Sequence, residues 1–379
     1  MRTILNRPID LLHKIKIDWI CRKKIHNISR NIPNLYVNRC LEKDYIKLWS
    51  ALCRKPSILF IRCMCTISGI ISSKYVPENI YYQKIEPTLN HRAYALTYND
   101  KNFIERYFSE YKEMFPRAVL RGINGVFYDN DYEIVENERA KFILSELSEY
   151  NQYILKPAAE TSGGVDIFLV EKINNEFKVN GQQHSIPDFV ELLRYKGYRN
   201  FILQYRIKQH QWMDNFNKSS VNVIRLYTYR SIIDNTIHLL HAYIRFGKEG
   251  NIVDGLRYGG RTCGISNNGI LYEYSLSMDG EKYYDHNIIN MKNDISVPLF
   301  NEIKNTAFNI ASSCYYHRLL GFDFTIDINN KIRLFEINNN FIGIINQQMN
   351  SGPLFGEYTD EIINYCTANK KTGYFHYYI

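Results

Sequence analysis

The chain has 379 residues and a net charge of +8, enough for a large core divided into two or three lobes. With 45% hydrophobic and 23% charged residues it has the composition of a folded globular protein, which excludes a disordered chain. The eight cysteines form no CxxC pair and no zinc-like spacing. We therefore expect reduced, structural thiols in a cytoplasmic protein.

The positive charge lies in the N-terminal arm. Residues 1–56 carry thirteen Lys or Arg and four acids, a net of +9, so the remainder sums to −1. A basic arm on a neutral body does not favour nucleic acid as a partner. Apolar and basic residues alternate in this arm at helical spacing, namely Leu12, Ile15 and Trp19 beside Lys14, Lys16 and 22–24. The pattern predicts a helix that either contacts an anionic membrane surface peripherally or docks on the body.

Neither a membrane span nor a signal peptide is predicted. The most apolar stretch, 58–71, is interrupted by Arg62 and is too short to cross a bilayer. The first residues lack an apolar region followed by a cleavage site.

Periodicity predicts a mixture of helices and strands along the chain. Up to residue 75 we expect helices, interrupted at Pro8, Pro33 and Pro56, and then an extended run over 80–90. The later pattern predicts strands within 116–128, 153–156, 166–170, 201–207, 217–229 and 238–246, and helices over 137–150, 185–197, 299–316 and 358–368.

One pair of strands is joined by a loop of small residues. The strand that ends at Lys156 leads into Ala158–Val165, which contains Thr161, Ser162, Gly163 and Gly164. It is no Walker A motif, because GxxxxGK[ST] and a following helix are both missing. The loop could fold over phosphates with Lys156 as a cation, or it could be a plain hairpin with a glycine turn.

Two further strands carry polar residues of interest. The buried strand over 201–207 leads to a polar exit that could serve as a hinge meeting an adenine. In the strand over 217–229, Asn222 and Arg225 interrupt an apolar pattern. A half-buried arginine needs an anion, either a protein carboxylate or a substrate phosphate.

The segment Gly321–Asn340 predicts a hairpin that turns at Asn329 and Asn330. Such a two-residue turn puts Asp323 opposite Glu336, with Asn338 two residues further on the same face. Like charges directly opposite each other destabilise a sheet. A hard cation such as Mg²⁺, held jointly with phosphates, would explain the pair, and a solvated polar face is the alternative.

Taken together, these segments resemble the ATP-grasp superfamily, and within it the sugar-transfer-associated, teichuronopeptide-synthesis-like group found with bacterial surface-polysaccharide genes. The resemblance covers about 76–355. The motifs that carry it are IEPTLN…YNDKN (85–102), ILKPAAETSGG (154–164), SVNVIRLYTYR (220–230), VDGLRYGGR (253–261) and GFDFTID…LFEINNN (321–340).

The resemblance implies an α+β fold in which two lobes clasp ATP. Together with the residue patterns outside it, five regions are expected: 1–75 as a helical basic extension, 76–152 as an α/β region, 153–207 as the small lobe, 208–350 as the large lobe, and 351–379 as a helical tail.

It also implies roles for individual residues. The nucleotide phosphates would be held by Lys101 and Lys156, with Thr161, Ser162, Gly163 and Gly164 closing over them. The adenine hinge would be Gln204, Tyr205 and Ile207, and the Mg²⁺ ligands Asp323, Glu336 and Asn338. The catalytic residues would be Arg225, with Asn222 beside it, and Arg261.

Two positions depart from the superfamily pattern. Gln204 stands where a glutamate is common, which puts the ribose or adenine contacts there in question. Gly321 stands where some of these ligases carry an arginine, so that role would pass to Arg225 or Arg261. No residue stands out as the base that deprotonates the amine. His210 and His241 could serve, but a lone histidine more often has a structural role.

The activity implied by the resemblance is ATP-dependent ligation of a carboxylate to an amine through an acyl-phosphate, with ATP and Mg²⁺ as cofactors. The acid would be an acidic sugar, or a peptide on it, in surface-polysaccharide synthesis. The alternatives are a kinase on the same fold and a non-catalytic nucleotide-binding component of a polysaccharide assembly.

Overall fold

A computed structural model describes residues 7–53, 55–159, 164–195, 199–284 and 295–369. Two antiparallel sheets form its framework, an eight-stranded first sheet and a seven-stranded second sheet. The resulting α+β architecture agrees with the expected fold class.

The first sheet has the strand order β3-β2-β1-β8-β4-β5-β6-β7. Its strands are β1 Ala118–Ile123, β2 Val126–Tyr128, β3 Ile134–Val135, β4 Gln152–Pro157, β5 Phe168–Ile173, β6 Glu176–Val179, β7 Gln182–Ser185 and β8 Phe201–Tyr205. Helices α8 (Asn137–Ser145) and α9 (Ile186–Tyr195) pack on it, and apolar residues such as Leu144 and Phe189 close its core. Because β1–β3 belong to this sheet, it extends across the boundary expected at residue 152.

The second sheet has the order β13-β12-β11-β10-β9-β14-β15. Its strands are β9 Val223–Arg230, β10 Ile237–Phe246, β11 Arg261–Ile265, β12 Leu271–Leu276, β13 Lys282–Tyr283, β14 Leu319–Ile326 and β15 Ile332–Asn338. Helix α11 (Phe300–Ser312) covers one face, because Phe300, Ile303, Ala307 and Ile310 recur at helical spacing and are buried. The opposite face packs against helices at one end and lines a cleft at the other, where Arg225 and Asp323 lie.

The remaining helices surround the second sheet. They are α1 Arg7–Arg30, α2 Arg39–Trp49, α3 Ile58–Ser68, α4 Glu78–Ile80, α5 Glu86–Leu89, α6 Leu96–Asn99, α7 Ile104–Tyr107, α10 Gln211–Asp214, α12 Ile345–Ser351 and α13 Thr359–Ala368. Residues of α1–α5 share one apolar core with α12, α13 and one end of the second sheet. The basic extension is thus packed on the body along much of its length.

The extended run expected over 80–90 is wrong. The chain is helical there, with a π-helical turn over Tyr81–Ile85 between α4 and α5. Pro87 lies two residues after this turn and has no N–H to donate, and the Tyr82 carbonyl instead accepts a hydrogen bond from Arg92 Nη2 at 3.1 Å. The polar residue Glu86 is fully buried and accepts a hydrogen bond from the Ile342 backbone N–H at 2.9 Å.

The β14–β15 hairpin confirms the expected pairing of Asp323 with Glu336 but not the expected turn. The loop has three residues, since the Asp327 N–H bonds to the Lys331 carbonyl at 2.9 Å and Asn330 has a φ of +60°. A bulge at Phe335 then adds one unpaired residue to β15. The bulge restores the register that a two-residue turn would have produced.

Candidate active site

A cleft of about 1590 Å³ lies between the two sheets. It brings together most of the residues selected from the sequence. Those lining it are Lys101, Lys156, Gly164, Gln204, Tyr205, Ile207, Arg225, Asp323, Glu336 and Asn338. Residues from both sheets thus meet at one site.

Lys101 reaches from the side of the first sheet to the second. Its backbone N–H bonds to the Ala158 carbonyl at 2.8 Å, and the neighbouring Asn102 side chain donates to the Gly122 carbonyl at 3.0 Å. From this anchored segment the Lys101 ammonium lies 3.7 Å from the Glu336 carboxylate. A lysine that would be taken for a surface residue from sequence alone therefore bridges the cleft.

Lys156 is a buried cation near the end of β4. Burial, the charge of Lys101 and, in the opposite sense, the charge of Glu336 together lower the pKa of Lys156 to about 7. Its ammonium lies 5.9 Å from the centre of the Phe335 ring, on the bulge of β15. An anion bound beside Lys156 would raise this pKa again and keep the ammonium charged.

Arg225 and Asp323 form a buried ion pair across β9 and β14. The arginine binds the carboxylate with two hydrogen bonds, one of them from Nε to Oδ1 at 2.5 Å and the other from Nη2 to Oδ2. Arg245 Nη2 lies 3.6 Å from the same carboxylate, and Arg245 Nε donates to Asp254 at 2.5 Å. Such a bidentate pair fixes both partners in position.

Glu336 is the carboxylate of the cleft that stays available. Burial would raise its pKa, but Lys101, Arg225 and the other nearby cations lower it to about 2. The nearest nitrogens of Lys101 and Arg225 lie 3.7 Å from its oxygens, beyond hydrogen-bond distance. Glu336 is therefore ionised and only partly enclosed.

These residues fit Mg²⁺ in part. Glu336 and the amide oxygen of Asn338 are the hard oxygen ligands that Mg²⁺ prefers when it is shared with phosphates. Asp323 already has both oxygens bound by Arg225, so its remaining lone pairs would have to serve. Among the described residues, no group of three His, Cys, Asp or Glu side chains forms a metal site by itself. Any ion here would thus need further oxygens from its anion.

The expected hinge residues connect the two sheets. Gln204 is the last residue but one of β8 and is buried, and the Arg206 N–H bonds to the Gln152 carbonyl at 2.9 Å. The chain then joins the second sheet, since the His210 N–H bonds to the Ile326 carbonyl at 2.9 Å. Apolar side chains including Ile154, Ile207 and Phe335 line this part of the cleft.

Some of the selected residues are not brought to the cleft. Asn222 is fully buried, and its amide donates to the carbonyls of Met213 at 2.7 Å and Asn217 at 2.8 Å, so it secures the loop before β9. The Arg261 guanidinium lies over the Tyr283 ring, 3.8 Å from its centre. Neither residue lines the cleft. Thr161, Ser162 and Gly163 lie outside the described residues.

The two histidines considered as bases have structural contacts. The His210 ring accepts the Trp212 N–H at 3.0 Å and caps α10. His241 Nε2 lies 3.0 Å from the Pro353 carbonyl, and burial lowers the pKa of His241 to about 4. Neither lines the cleft.

Sequence reasoning missed Arg245 and Asp254, which both line the cleft. A signal was present, because Arg245 is a charged residue in the mainly apolar second half of β10, one residue before its end at Phe246. Arg225 pairs with Tyr243 on β10, so Arg245 is its diagonal neighbour. The arginine beside Arg225 is therefore Arg245.

Several solved structures resemble the chain at low identity. D-alanyl-alanine synthetase A from Vibrio cholerae O1 biovar eltor is 12% identical, with 71% of this chain and 66% of that chain covered and a TM-score of 0.36. VanG D-Ala:D-Ser ligase from Enterococcus faecalis is 13% identical, with 70% and 61% covered and a TM-score of 0.40.

A third such structure is the ATP-grasp ligase PsnB, solved with a variant precursor, Mg and ADP. It is 12% identical, with 73% of this chain and 61% of that chain covered and a TM-score of 0.41. The chain thus spans less than two thirds of each of these three solved chains.

Among curated proteins, no match was found. The family model described as sugar-transfer associated ATP-grasp matches residues 81–362, which is most of the chain and includes every cleft residue selected from the sequence. The chain belongs to the sugar-transfer associated ATP-grasp family.

Proposed function

We propose that the protein is an ATP-dependent ligase that joins a carboxylate to an amine. The observation that carries this proposal is the charge of the cleft. Four cations, Lys101, Lys156, Arg225 and Arg245, surround the available carboxylate of Glu336. With Asp254 and Asp323 counted as well, the group has one net positive charge, which suits a polyphosphate that arrives with its own metal ion.

The proposed reaction has two steps. An oxygen of the substrate carboxylate attacks the γ-phosphorus of ATP, and ADP leaves. The amine then attacks the acyl carbon of the acyl-phosphate, the C–O bond breaks, and phosphate leaves as the amide loses its proton to solvent or base. Lys101 and Lys156 would bind the nucleotide phosphates, and Arg225 would stabilise charge on the transferred group.

Glu336 and Asn338 are the proposed ligands of Mg²⁺, and Asp323 is a third through its remaining lone pairs. When bound, the ion would neutralise phosphate charge. The main role of Asp323 is to orient the Arg225 side chain across the paired strands β9 and β14. Gln204, Tyr205 and Ile207 would contact the adenine, and residues 161–164 would cover the phosphates.

The proposed acid is a sugar carboxylate, or a peptide attached to a sugar, in the synthesis of a surface polysaccharide such as a capsule or O-antigen. The family description supports a link to sugar transfer. The test is ADP release from purified protein supplied with ATP, a uronic acid and an amino acid. We expect ADP only when the acid and the amine are both present.

ADP release with a hydroxyl acceptor alone would replace the ligase by a kinase on the same scaffold. A non-catalytic nucleotide-binding component is the other alternative. It would be favoured if Asp323→Asn combined with Glu336→Gln abolished nucleotide binding but left the polysaccharide of the cell unchanged.

We also propose that the protein works in the cytoplasm, peripherally at an anionic membrane surface, through the outer face of α1. Among the described helices, none has the length and apolar character needed to cross a bilayer. The inner face of α1 docks on the body, where Lys24 pairs with Glu78 at 2.8 Å and Ile25 and Ile28 are buried.

The outer face of α1 combines exposed apolar and basic side chains. Leu12 is 66% and Trp19 60% exposed, and the Lys23 ammonium lies 5.2 Å from the centre of the Trp19 ring. Asp18 turns inward, since it accepts hydrogen bonds from Asn79 at 2.8 Å and Gln83 at 2.9 Å. An apolar and basic surface of this kind complements anionic lipid headgroups better than it complements a second copy of itself.

A further inference from the structure

The cleft continues beyond the charged residues to a mouth at its open end. The mouth is formed by three segments that are distant in sequence. Its residues are Leu96, Tyr315, Tyr316, Arg318, Asn340 and Phe341. None of these has a role in the proposed phosphate or metal site.

Aromatic rings are exposed at the mouth. Tyr315 is 78%, Tyr316 49% and Phe341 44% exposed. Tyr316 stacks on Tyr94 with ring centres 3.7 Å apart and planes 9° apart, so its ring is held rigidly. Exposed aromatic groups clustered in a cleft are typical of a binding surface.

The backbone at Phe341 is strained. Its φ is +51°, a left-handed conformation that is costly for a bulky residue. The Arg92 guanidinium lies 5.0 Å from the centre of the Phe341 ring and fixes it. A strained residue that presents an exposed ring at a cleft is consistent with a functional role for that ring.

Two amide side chains line the same cleft as the rings. They are those of Asn340 and Asn346. An amide can both donate and accept hydrogen bonds. The lining therefore combines aromatic rings with groups that can bind hydroxyl groups.

The mouth adjoins the proposed metal residues in sequence, since Asn340 follows Asn338 by two residues. The cleft volume of about 1590 Å³ is larger than that of an ordinary small-molecule pocket. Space therefore remains beside a nucleotide for a second, extended substrate.

We infer that the mouth binds a sugar ring of a glycan acceptor. A sugar ring has an apolar C–H face that can stack on Tyr315 and hydroxyl groups that can hydrogen-bond the Asn340 amide. A lipid chain would offer the amide groups of the cleft no hydrogen-bond partner. This inference rests on the proposed ligase function, which assigns the charged residues to ATP and leaves the mouth for the acceptor.

The test is saturation-transfer NMR and titration with three trisaccharides, of galacturonic acid, glucose and N-acetylglucosamine. We expect at least one of them to bind the wild type. Tyr315→Ala should weaken that binding about tenfold, the factor given by ~1.4 kcal/mol of lost stacking. Tyr315→Phe, which keeps the ring, should bind like the wild type.

Tyr150→Ala is the matched control, because Tyr150 is 94% exposed and lies outside the cleft. It should change nothing. Binding of Mg·ATP should be the same in Tyr315→Ala as in the wild type, and Glu336→Gln should lose Mg·ATP but keep the trisaccharide.

The inference is overturned if none of the three trisaccharides binds, or if Tyr315→Ala binds as tightly as the wild type. If the trisaccharide binds through Tyr315 while the protein binds no Mg·ATP, the ligase proposal fails and the glycan site stands. The two proposals therefore fail in distinguishable ways.

Discussion

The two ends of the cleft are built in different ways. At the charged end the side chains project from paired strands and hold one another, as Arg225 and Asp323 do across β9 and β14. At the mouth, loop residues such as Tyr315 are exposed, so the stability of the fold depends less on them. Substitutions at the charged end should therefore affect both stability and chemistry, whereas those at the mouth should affect substrate choice alone.

The largest expected effect distinguishes the roles of two carboxylates at the charged end, those of Asp323 and Glu336. Asp323→Asn leaves Arg225 buried without its bidentate partner, and we expect it to lower the free energy of unfolding by about 3 kcal/mol and to abolish ADP formation. Glu336→Gln removes a carboxylate that faces the cleft, so it should abolish ADP formation with little loss of stability. Urea denaturation and an ADP assay measure the two effects.

Equal stability of the two variants would contradict the structural role given to Asp323. ADP formation by Glu336→Gln at the wild-type rate would contradict the metal assignment. Tyr150→Ala serves as the control for both assays, since its side chain contributes to neither end of the cleft.

Strand pairing explains how much of the charged end the sequence could predict. Alternating apolar and polar residues identified β14 and β15, and the pairing of Asp323 with Glu336 followed. That pairing was right although the turn was wrong, because a three-residue loop and the bulge at Phe335 compensate each other. Local patterns constrain register more strongly than they constrain turn geometry.

Contacts between segments distant in sequence explain what the sequence could not predict. The mouth joins Tyr94 to Tyr316 and Arg92 to Phe341, pairs separated by more than 200 residues. No spacing rule relates such loop residues. Asn222 shows that nearness in sequence is no substitute for such contacts, since it lies three residues before Arg225 while its side chain binds the loop before β9.

A smaller effect tests Lys156 through pH. Because the pKa of Lys156 is lowered to about 7, the free protein loses this charge as the pH rises through 7. A bound phosphate favours the charged form, so nucleotide binding takes up a proton and its affinity should fall up to about tenfold per pH unit above 7. Isothermal titration with ATP at pH 6, 7 and 8 measures this.

Lys156→Met should weaken ATP binding by about ten- to a hundredfold at pH 6, the loss of one charged hydrogen bond, and should flatten the pH dependence. The pH dependence of the stability of the free protein has the opposite sign to that of ATP binding. Lys156 binds its proton more weakly in the folded state than in the unfolded state, so its contribution makes the free energy of unfolding of the wild type rise as the pH is raised from 7 to 10.5. A pH dependence of ATP binding that survives in Lys156→Met would assign it to another group.

The smallest effect on chemistry is expected from the outer face of α1, because Leu12 and Trp19 do not line the cleft. Leu12→Ser combined with Trp19→Ser should reduce flotation with phosphatidylserine vesicles about tenfold or more, because two exposed apolar side chains are lost. Affinity for ATP should not change. Ile134→Ser, at a site 69% exposed on the first sheet, is the matched control.

Ionic strength and a truncation separate the possible occupants of the outer face of α1. Lipid binding through Lys16 and Lys23 should weaken as salt is raised and should be absent with neutral phosphatidylcholine vesicles. If truncation after residue 369 is needed before vesicles bind, the aromatic C-terminal segment covers this face instead. Equal flotation of Leu12→Ser/Trp19→Ser and wild type would contradict the proposed membrane contact. The proposed role of the charged end does not depend on that contact and would stand.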